Sequence, residues 1–281
     1  MNAPFRPALR YMGGKWRLAP KIIPFLPPHR TYVEPFGGAA SVLLRKPAAF
    51  QEIYNDLDGE IVGLFRVLRD PAGAAELSRL IALTPWAREE FEASYTVSPD
   101  PIENARRTVV RSFMGFGSTA TALRRKTGFR AISVRNGKHP AKDFSGMPQA
   151  ILALAERMRG VVIENRPALE ILTRCDAGDT LAYLDPPYVH STRSGKRIHG
   201  GLEHAYAHEM DEEQHRDLLA WCSSSKSMVV ISGYATDLYE QALTGWTRIE
   251  LAAFADGARA RTEVLWINPA AVEANRGLFH D

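Results

Sequence analysis

Short apolar runs alternate with amphipathic segments along most of the chain. The runs are rich in Val, Ile, Leu and Tyr, which is typical of buried strands, and the segments between them have helical periodicity. Strands are predicted at residues 31–33, 52–58, 161–163, 181–184, 227–231, 247–251 and 263–267. Helices are predicted at residues 17–25, 37–45, 59–68, 151–158, 168–174, 211–222 and 235–243. This alternation predicts an α/β fold with a seven-stranded, mostly parallel sheet.

The alternation stops in the middle of the chain. Asp70, Pro71 and Gly73 mark a break, and regular strands and helices return only near Pro148. Between them, residues 74–91 and 104–113 favour helices, and the stretch SFMGFGSTATALRRKTGFR has no clear period. We therefore predict a discontinuous main domain (residues 1–69 and 148–281) that carries an inserted, mainly helical region (residues 70–147).

Composition indicates a soluble protein. The chain has 281 residues, of which 45% are hydrophobic, so it can bury a full core. Its longest apolar runs fall short of the ~20 residues of a membrane helix, and its N-terminus lacks the apolar core of a signal peptide. Its two cysteines, Cys175 and Cys222, lack metal or redox spacing. We expect a cytoplasmic protein with neither a membrane partner nor a metal.

Positive charge is concentrated in the inserted region. Residues 105–143 contain ten Lys and Arg against one acidic residue, a local net charge of +9, whereas the whole chain carries +3. Such asymmetry indicates a polyanionic partner such as a nucleic acid, although a solvated surface would also account for it. The cations that we select as DNA-contact candidates are Arg111, Arg124, Arg125, Lys126 and Arg130.

The stretch TYVEPFGGAAS at residues 31–41 predicts a ligand site. A strand, a glycine turn and a helix N-terminus form the nucleotide-binding element of Rossmann-like folds. The dinucleotide pattern GxGxxG is absent, which disfavours a nicotinamide dehydrogenase. Glu34 would repel a pyrophosphate, and it suits a cationic ligand such as an amino group or a sulfonium.

Two further stretches carry candidate ligand contacts. EIYNDLD at residues 52–58 ends about 20 residues after the glycine turn, where such folds place an acid on ribose hydroxyls. Asp56 is the candidate for that role, and Asp58 is expected to cap the next helix. LRYMGGKW at residues 9–16 places two glycines before Lys15. It is not a phosphate-binding P-loop, and a plain turn explains it equally well.

LAYLDPPY at residues 181–188 combines a buried strand with polar groups at its end. Asp185 lies where ligands bind in an open α/β sheet. Pro186 and Pro187 end the strand and stiffen the exit, and Tyr188 follows as an aromatic plate. Taken alone, the stretch is more typical of a strand followed by a turn than of a site.

In their order along the chain, these motifs resemble those of the Dam-type family of DNA adenine-N6 methyltransferases. The matching motifs are RYMGGK at 10–15, VEPFGGAAS at 33–41, YND at 54–56, DPPY at 185–188 and RTEVLWIN at 261–268. The resemblance implies a Rossmann-like fold, S-adenosyl-L-methionine as methyl donor and an adenine of double-stranded DNA as acceptor. It also implies target recognition by the inserted region. SFMGFGSTA does not clearly match the recognition segment of GATC-specific members, which leaves the target sequence open.

The resemblance also implies residue roles. It assigns the cofactor to Tyr11, Lys15, Glu34, Phe36, Gly37, Asp56 and Asp185. It assigns catalysis on a flipped-out adenine to Asp185, the Pro186 carbonyl and Tyr188. The carboxylate and the carbonyl would accept hydrogen bonds from the two amino protons, and the ring would stack on the base.

Other functions fit some of the same motifs. An RNA adenine or a cytosine N4 could be the acceptor, and a DNA-binding homologue could have lost catalysis. We expect a monomer or weak dimer in the cytoplasm of a bacterium or in a phage-infected cell, held at the nucleoid through DNA. The sequence leaves open whether a restriction nuclease accompanies it.

Overall fold

The computed structural model describes residues 4–117, 126–131, 139–189, 197–198, 201–202, 208–254 and 260–276. Within these residues, seven strands form one sheet and two short strands form a separate hairpin. The sheet contains β1 (Thr31–Glu34), β2 (Gln51–Asn55), β3 (Val162–Glu164), β4 (Thr180–Leu184), β7 (Met228–Gly233), β8 (Thr247–Phe254) and β9 (Ala260–Ile267). The hairpin contains β5 (Arg197–Ile198) and β6 (Gly201–Leu202). The predicted strand number and fold class are confirmed.

The strand order in the sheet is β3-β2-β1-β4-β7-β9-β8. The pairs β1–β2, β1–β4, β2–β3 and β4–β7 are parallel, and β9 pairs antiparallel with both β7 and β8. The order of strands reverses between β1 and β4, because the chain passes first to β2 on one side and later to β4 on the other. Ligands of open α/β sheets bind outside the carboxyl ends of strands at such a reversal.

The described helices cover both faces and the edge of this sheet. They are α1 (Ala19–Ile22) with a 3₁₀ turn (Ile23–Phe25), α2 (Gly59–Arg69), α3 (Pro71–Leu83), α4 (Arg88–Ala93), α5 (Pro101–Met114), α6 (Pro140–Phe144), α7 (Met147–Met158), α8 (Ala168–Arg174), α9 (Glu212–Ser224), α10 (Asp237–Ala242) and α11 (Pro269–Ala274). None of them has the length and apolar composition of a membrane-spanning helix.

Most predicted helices are present, with two differences. The helix predicted over residues 74–91 is broken into α3 and α4, because Pro85 disfavours helical backbone at Thr84, which is extended. Residues 37–45 do not form a regular helix but a series of turns. Ala40 has a positive φ of 52°, and the amide of Leu43 donates to the Glu34 carboxylate. That side-chain bond replaces the backbone bond that a helix would make.

The helices of the inserted region share a core with the sheet. α3 and α5 pack against α2, and α3 also packs against α7, which belongs to the main domain. Phe91, Val109 and Phe113 belong to the same buried cluster as Tyr32 and Leu181 of the sheet. In the described part of residues 70–147, the regular secondary structure is helical. The described helices of residues 70–147 are therefore packed, through α2 and α7, into the core that covers the sheet.

Candidate active site

A cavity of about 210 Å³ opens at the carboxyl ends of β1, β2 and β4. Residues from distant parts of the chain meet there, because parallel strands present their ends at one edge. All seven residues predicted to hold the cofactor line it: Tyr11, Lys15, Glu34, Phe36, Gly37, Asp56 and Asp185. The structure therefore brings together a set that the sequence places up to 174 positions apart.

The glycine turn after β1 is packed against two tyrosine rings. A Cβ added at Gly37 would lie 2.1 Å from Cε2 of Tyr54, so only glycine fits this approach. Gly38 has a φ of 47°, and a Cβ there would lie 2.9 Å from the ring of Tyr11. The Tyr54 hydroxyl donates to the Gly38 carbonyl at 2.8 Å. These contacts fix the backbone of the turn at the cavity wall.

Glu34 holds the residues after this turn in place. Its Oε2 accepts hydrogen bonds from the Tyr32 hydroxyl at 2.7 Å and from the Leu43 amide at 3.0 Å. Burial raises the pKa of Glu34 to about 8, despite both donors. Burial therefore favours the protonated carboxyl near neutral pH. A cation bound in the cavity would favour the carboxylate, and the expectation that Glu34 supplies negative charge for such a ligand stays a prediction.

Asp56 connects the glycine turn to the segment after β2. One carboxylate oxygen accepts from the Gly38 amide at 2.7 Å, and the other accepts from the Asp58 amide at 2.8 Å. Burial is the main reason that its pKa is raised, and the two amide donors act against it. Each oxygen has a further lone pair for a hydroxyl in the cavity. Asp58 caps α2 as predicted, by accepting from the Glu60 amide.

Asp185 lies beside a buried lysine at the end of β4. The Lys15 ammonium is 2.8 Å from both carboxylate oxygens, and the Ser232 hydroxyl is 3.2 Å from one of them. Burial raises the pKa of Asp185 to about 6; the charge of Lys15 lowers it and that of Glu263 raises it. Asp185 is therefore ionised above about pH 6. Burial disfavours the charged form of Lys15, but the facing carboxylates outweigh it and raise the pKa of this lysine well above its ordinary value.

The loop of the RYMGGK motif delivers Lys15 to this position. Gly13 has a φ of 73°, and a Cβ at Gly14 would lie 3.0 Å from the Tyr11 carbonyl oxygen. The loop therefore turns tightly, and Lys15 Nζ also donates to the Gly13 carbonyl at 3.1 Å. The Arg10 amide donates to the Ser112 hydroxyl of α5 at 2.7 Å, which anchors the loop to the inserted region.

Tyr188 is tied to the same lysine. Lys15 Nζ donates to the Tyr188 hydroxyl at 2.8 Å. The ring of Tyr188 packs against Tyr234, with centroids 4.3 Å apart, and the guanidinium of Arg261 lies 5.2 Å from the Tyr234 centroid. An aromatic base can therefore stack on Tyr188 only from the side opposite Tyr234. Pro186, which follows Asp185 in the chain, is buried.

Two residues of this site were not given a role from the sequence. Glu263 is 3% exposed, and its Oε1 lies 3.3 Å from Lys15 Nζ. Tyr234 forms one wall beside Tyr188. A carboxylate inside the apolar run EVLWI was a usable signal for Glu263, because an acid in a buried strand requires a partner. Tyr234 follows the strand end at Gly233 and carried no comparable signal.

The structure places the candidate DNA contacts in different environments. Lys126 is exposed, and Arg130 is partly buried, with its guanidinium donating to the Phe113 carbonyl at 3.0 Å. Arg111 is 3% exposed and paired with Glu60, so it stabilises the packing of α5 on α2 and cannot reach a phosphate. The prediction that Arg111 contacts DNA is therefore replaced by a structural role. Arg124 and Arg125 lie outside the described residues.

Fold and site together define a Rossmann-like methyltransferase. The chain belongs to the D12 class N6 adenine-specific DNA methyltransferase family, whose model matches residues 11–255. No curated protein matches the chain. The family confirms the resemblance drawn from the motifs, and it identifies the protein as an adenine-specific DNA methyltransferase with DNA as its substrate.

Proposed function

We propose that the protein transfers a methyl group from S-adenosyl-L-methionine to the N6 amino group of an adenine that is flipped out of double-stranded DNA. The observation that carries the proposal is the Lys15–Asp185 ion pair at the rim of a cavity that all the expected cofactor residues line.

The cavity fits this cofactor. Asp56 offers carboxylate lone pairs for ribose hydroxyls, and Phe36, Leu57 and Leu169 supply apolar walls for an adenine ring. The Ser41 hydroxyl also lines the cavity, and no described residue is its hydrogen-bond partner. A buried hydroxyl of this kind needs a partner, which a polar group of the cofactor can supply. The bound cofactor would provide a methyl group on a sulfonium: as a bond forms from the methyl carbon to the acceptor nitrogen, the carbon–sulfur bond would break and a neutral thioether would leave.

Asp185 and Pro186 act on the acceptor. An adenine N6 is a poor nucleophile, because its lone pair is delocalised into the ring. The Asp185 carboxylate accepts a hydrogen bond from one amino proton and the Pro186 carbonyl accepts from the other, which stabilises the positive charge that develops on N6. A carboxylate has about four acceptor positions, so the bonds from Lys15 and Ser232 leave room for the amino group.

Lys15 keeps the acceptor ionised and oriented. Its charge acts against the effect of burial on the pKa of Asp185. Its hydrogen bonds to Asp185 and Tyr188 fix the carboxylate relative to the ring. Because the acceptors are held before the base arrives, little reorganisation is needed during the reaction.

Tyr188 receives the flipped base on the face that Tyr234 leaves open. Flipping costs a few kcal/mol. Stacking on an aromatic side chain returns about 1–3 kcal/mol. Phosphate contacts must contribute the remainder, and we propose that residues 70–147 supply them and read the target sequence, while residues 1–69 and 148–281 carry the chemistry. Arg124, Arg125, Lys126 and Arg130 are the proposed contacts.

The test is methyl transfer from labelled S-adenosyl-L-methionine, followed by analysis of the modified nucleosides. We expect label in N6-methyladenine of double-stranded DNA, and we expect none in N4-methylcytosine or in RNA. Label confined to RNA adenine or cytosine N4 would replace the proposed acceptor.

A further inference from the structure

Glu263 is a buried carboxylate at the start of the buried half of β9. It follows the exposed Thr262 and precedes the buried Val264, and 3% of it is exposed. Burying a carboxylate without partners is strongly unfavourable, so its position requires compensation. The compensation comes from the active site: Oε1 lies 3.3 Å from Lys15 Nζ, and both oxygens lie 3.4 Å from the Tyr188 hydroxyl.

The antiparallel direction of β9 brings this carboxylate to the catalytic edge. Gly233, the last residue of β7, pairs with Val264. Glu263 therefore lies one residue beyond the carboxyl end of β7, on the edge where β4 delivers Asp185. A parallel strand would present its own carboxyl end there instead. The RTEVLWIN motif thus contributes a charged group to the site as well as an internal strand to the sheet.

We propose that Glu263 is a positioning residue for methyl transfer, acting through Lys15 and Tyr188; this inference rests on the proposed function. The Lys15 ammonium has three N–H donors, and the Gly13 carbonyl, Asp185, Tyr188 and Glu263 surround it. Glu263 is a second carboxylate beside the ammonium, 3.3 Å from Nζ, whereas Asp185 is 2.8 Å away. It also accepts from the Tyr188 hydroxyl, which accepts from Lys15. Glu263 therefore fixes the position of the Asp185 carboxylate, which binds the amino group, relative to the Tyr188 ring, which stacks on the base.

Glu263 also sets the charge at Asp185. Among the described residues, the titratable or charged groups that act on Asp185 or lie around it are Lys15 of the N-terminal loop, Glu34 of β1, Tyr183 of β4, Tyr188, Tyr239 of α10 and Glu263. Of these, Lys15 favours the ionised carboxylate and Glu263 opposes it. Removing the charge of Glu263 therefore lowers the pKa of Asp185 from about 6. The acid limb of the kcat profile then moves to lower pH, a change that a purely structural role would not produce.

The experiment compares Glu263→Gln and Glu263→Asp with the wild type and with Glu250→Gln. Glu250 lies on the adjacent strand β8, exposed and paired with Arg248, so it controls for loss of one carboxylate from the same hairpin. We expect kcat to fall about 10- to 100-fold in both Glu263 variants, because small misplacements of reacting groups have effects of this size. The dissociation constant for S-adenosyl-L-methionine should change less than about threefold, because Glu263 does not line the cavity.

The two variants separate charge from position. Glu263→Gln should shift the acid limb of kcat to lower pH, whereas Glu263→Asp keeps the charge and should leave the limb in place. If Glu263→Gln does not fold, Glu263→Asp tests the proposal by itself. A lower kcat with an unchanged acid limb supports the positioning role. Folded variants with wild-type kcat and wild-type pH profiles would overturn the proposal. An inactive wild type would instead contradict the proposed function. If the wild type and Glu250→Gln are both active, a loss of activity in the Glu263 variants is due to Glu263 itself.

Discussion

The ammonium of Lys15 lies 2.8 Å from both carboxylate oxygens of Asp185, although 170 residues separate them in the chain. The lysine is delivered by a tight glycine loop near the N-terminus, and the carboxylate stands at the end of β4. Both groups are largely buried, so their attraction is screened less than that of a surface pair. The pair links the first and the fourth motif into one site.

Replacement of Asp185 by Ala is expected to abolish methyl transfer, with a fall in kcat of at least about 10³-fold, the upper range for loss of one charge-stabilising group. Cofactor binding should be largely retained, because Lys15 keeps Glu263 as a partner. Labelled methyl transfer and calorimetric binding measure the two effects. Asp179→Ala, an exposed change just before the same strand, is the control. Near wild-type transfer by Asp185→Ala would contradict the mechanism.

Glu34→Gln is expected to make stability less dependent on pH. The pKa of Glu34 is raised from its ordinary 4.5 to about 8 by burial. The unfolded chain therefore releases this proton at lower pH than the folded protein. The contribution of Glu34 is fully present below pH 4.5 and is lost as pH rises towards 8. The loss is on the order of 1 kcal/mol per pH unit across that window.

Denaturant unfolding at pH 5 and pH 8 measures this effect. Glu34→Gln should gain stability relative to the wild type as pH rises, because the amide does not titrate and the wild-type carboxyl does. The amide oxygen can still accept the hydrogen bonds from Tyr32 and Leu43. Glu92→Gln, at an exposed position of α4, controls for the loss of one carboxylate. Parallel curves for Glu34→Gln and the wild type would show that Glu34 titrates normally in the folded protein.

Gly37→Ala is expected to destabilise the protein by about 1–3 kcal/mol and to weaken cofactor binding. Its added Cβ would lie 2.1 Å from the ring of Tyr54, which cannot move without disturbing the buried sheet. Gly63→Ala in α2 is the matched control, because a Cβ there meets nothing within 4 Å. This control should be stabilised by about 0.5–1 kcal/mol through helix propensity. Equal stability changes in the two variants would argue against the close packing at Gly37.

Charge reversal at Arg124 and Arg125 is expected to weaken DNA binding without changing stability. If each contacts one phosphate, the slope of log K against log salt should become shallower by about 2 in the double variant, close to one unit per contact. Fluorescence anisotropy over a salt series provides the slope. Reversal of Arg159 and Arg174, which are exposed on the main domain, is the control. An unchanged slope in the Arg124 and Arg125 variant would remove them from the DNA contacts.

Arg111→Ala is expected to act on stability instead. Its guanidinium is buried against the Glu60 carboxylate and the Ser94 carbonyl. Removal of one partner of a buried ion pair costs about 3–5 kcal/mol. Thermal unfolding should show a large loss, whereas the salt slope of DNA binding should keep its wild-type value in the folded fraction. A changed slope with unchanged stability would return Arg111 to the DNA contacts.

Local pattern was enough to predict the strands and most helices. An apolar run with β-branched residues indicates a buried strand wherever it pairs, and Asp58 and Asp211 cap their helices as their positions indicate. The prediction over residues 37–45 was wrong because the side chain of Glu34, at the end of the preceding strand, accepts the hydrogen bond of the Leu43 amide. Such competition depends on tertiary position and leaves no periodic signal.

The same division applies to the site. The order of motifs and the position of each polar residue at a strand end determined, from the sequence alone, the family, the fold class and the seven residues that line one cavity. Only the tertiary structure decided that Arg111 is buried and that Glu263 joins Lys15 and Tyr188. The physical reason is that period and strand ends are local properties, whereas burial and the direction of β9 follow from pairing between segments far apart in the chain. A charge count therefore found the basic region, but it could not separate the cations that face DNA from those that hold helices together.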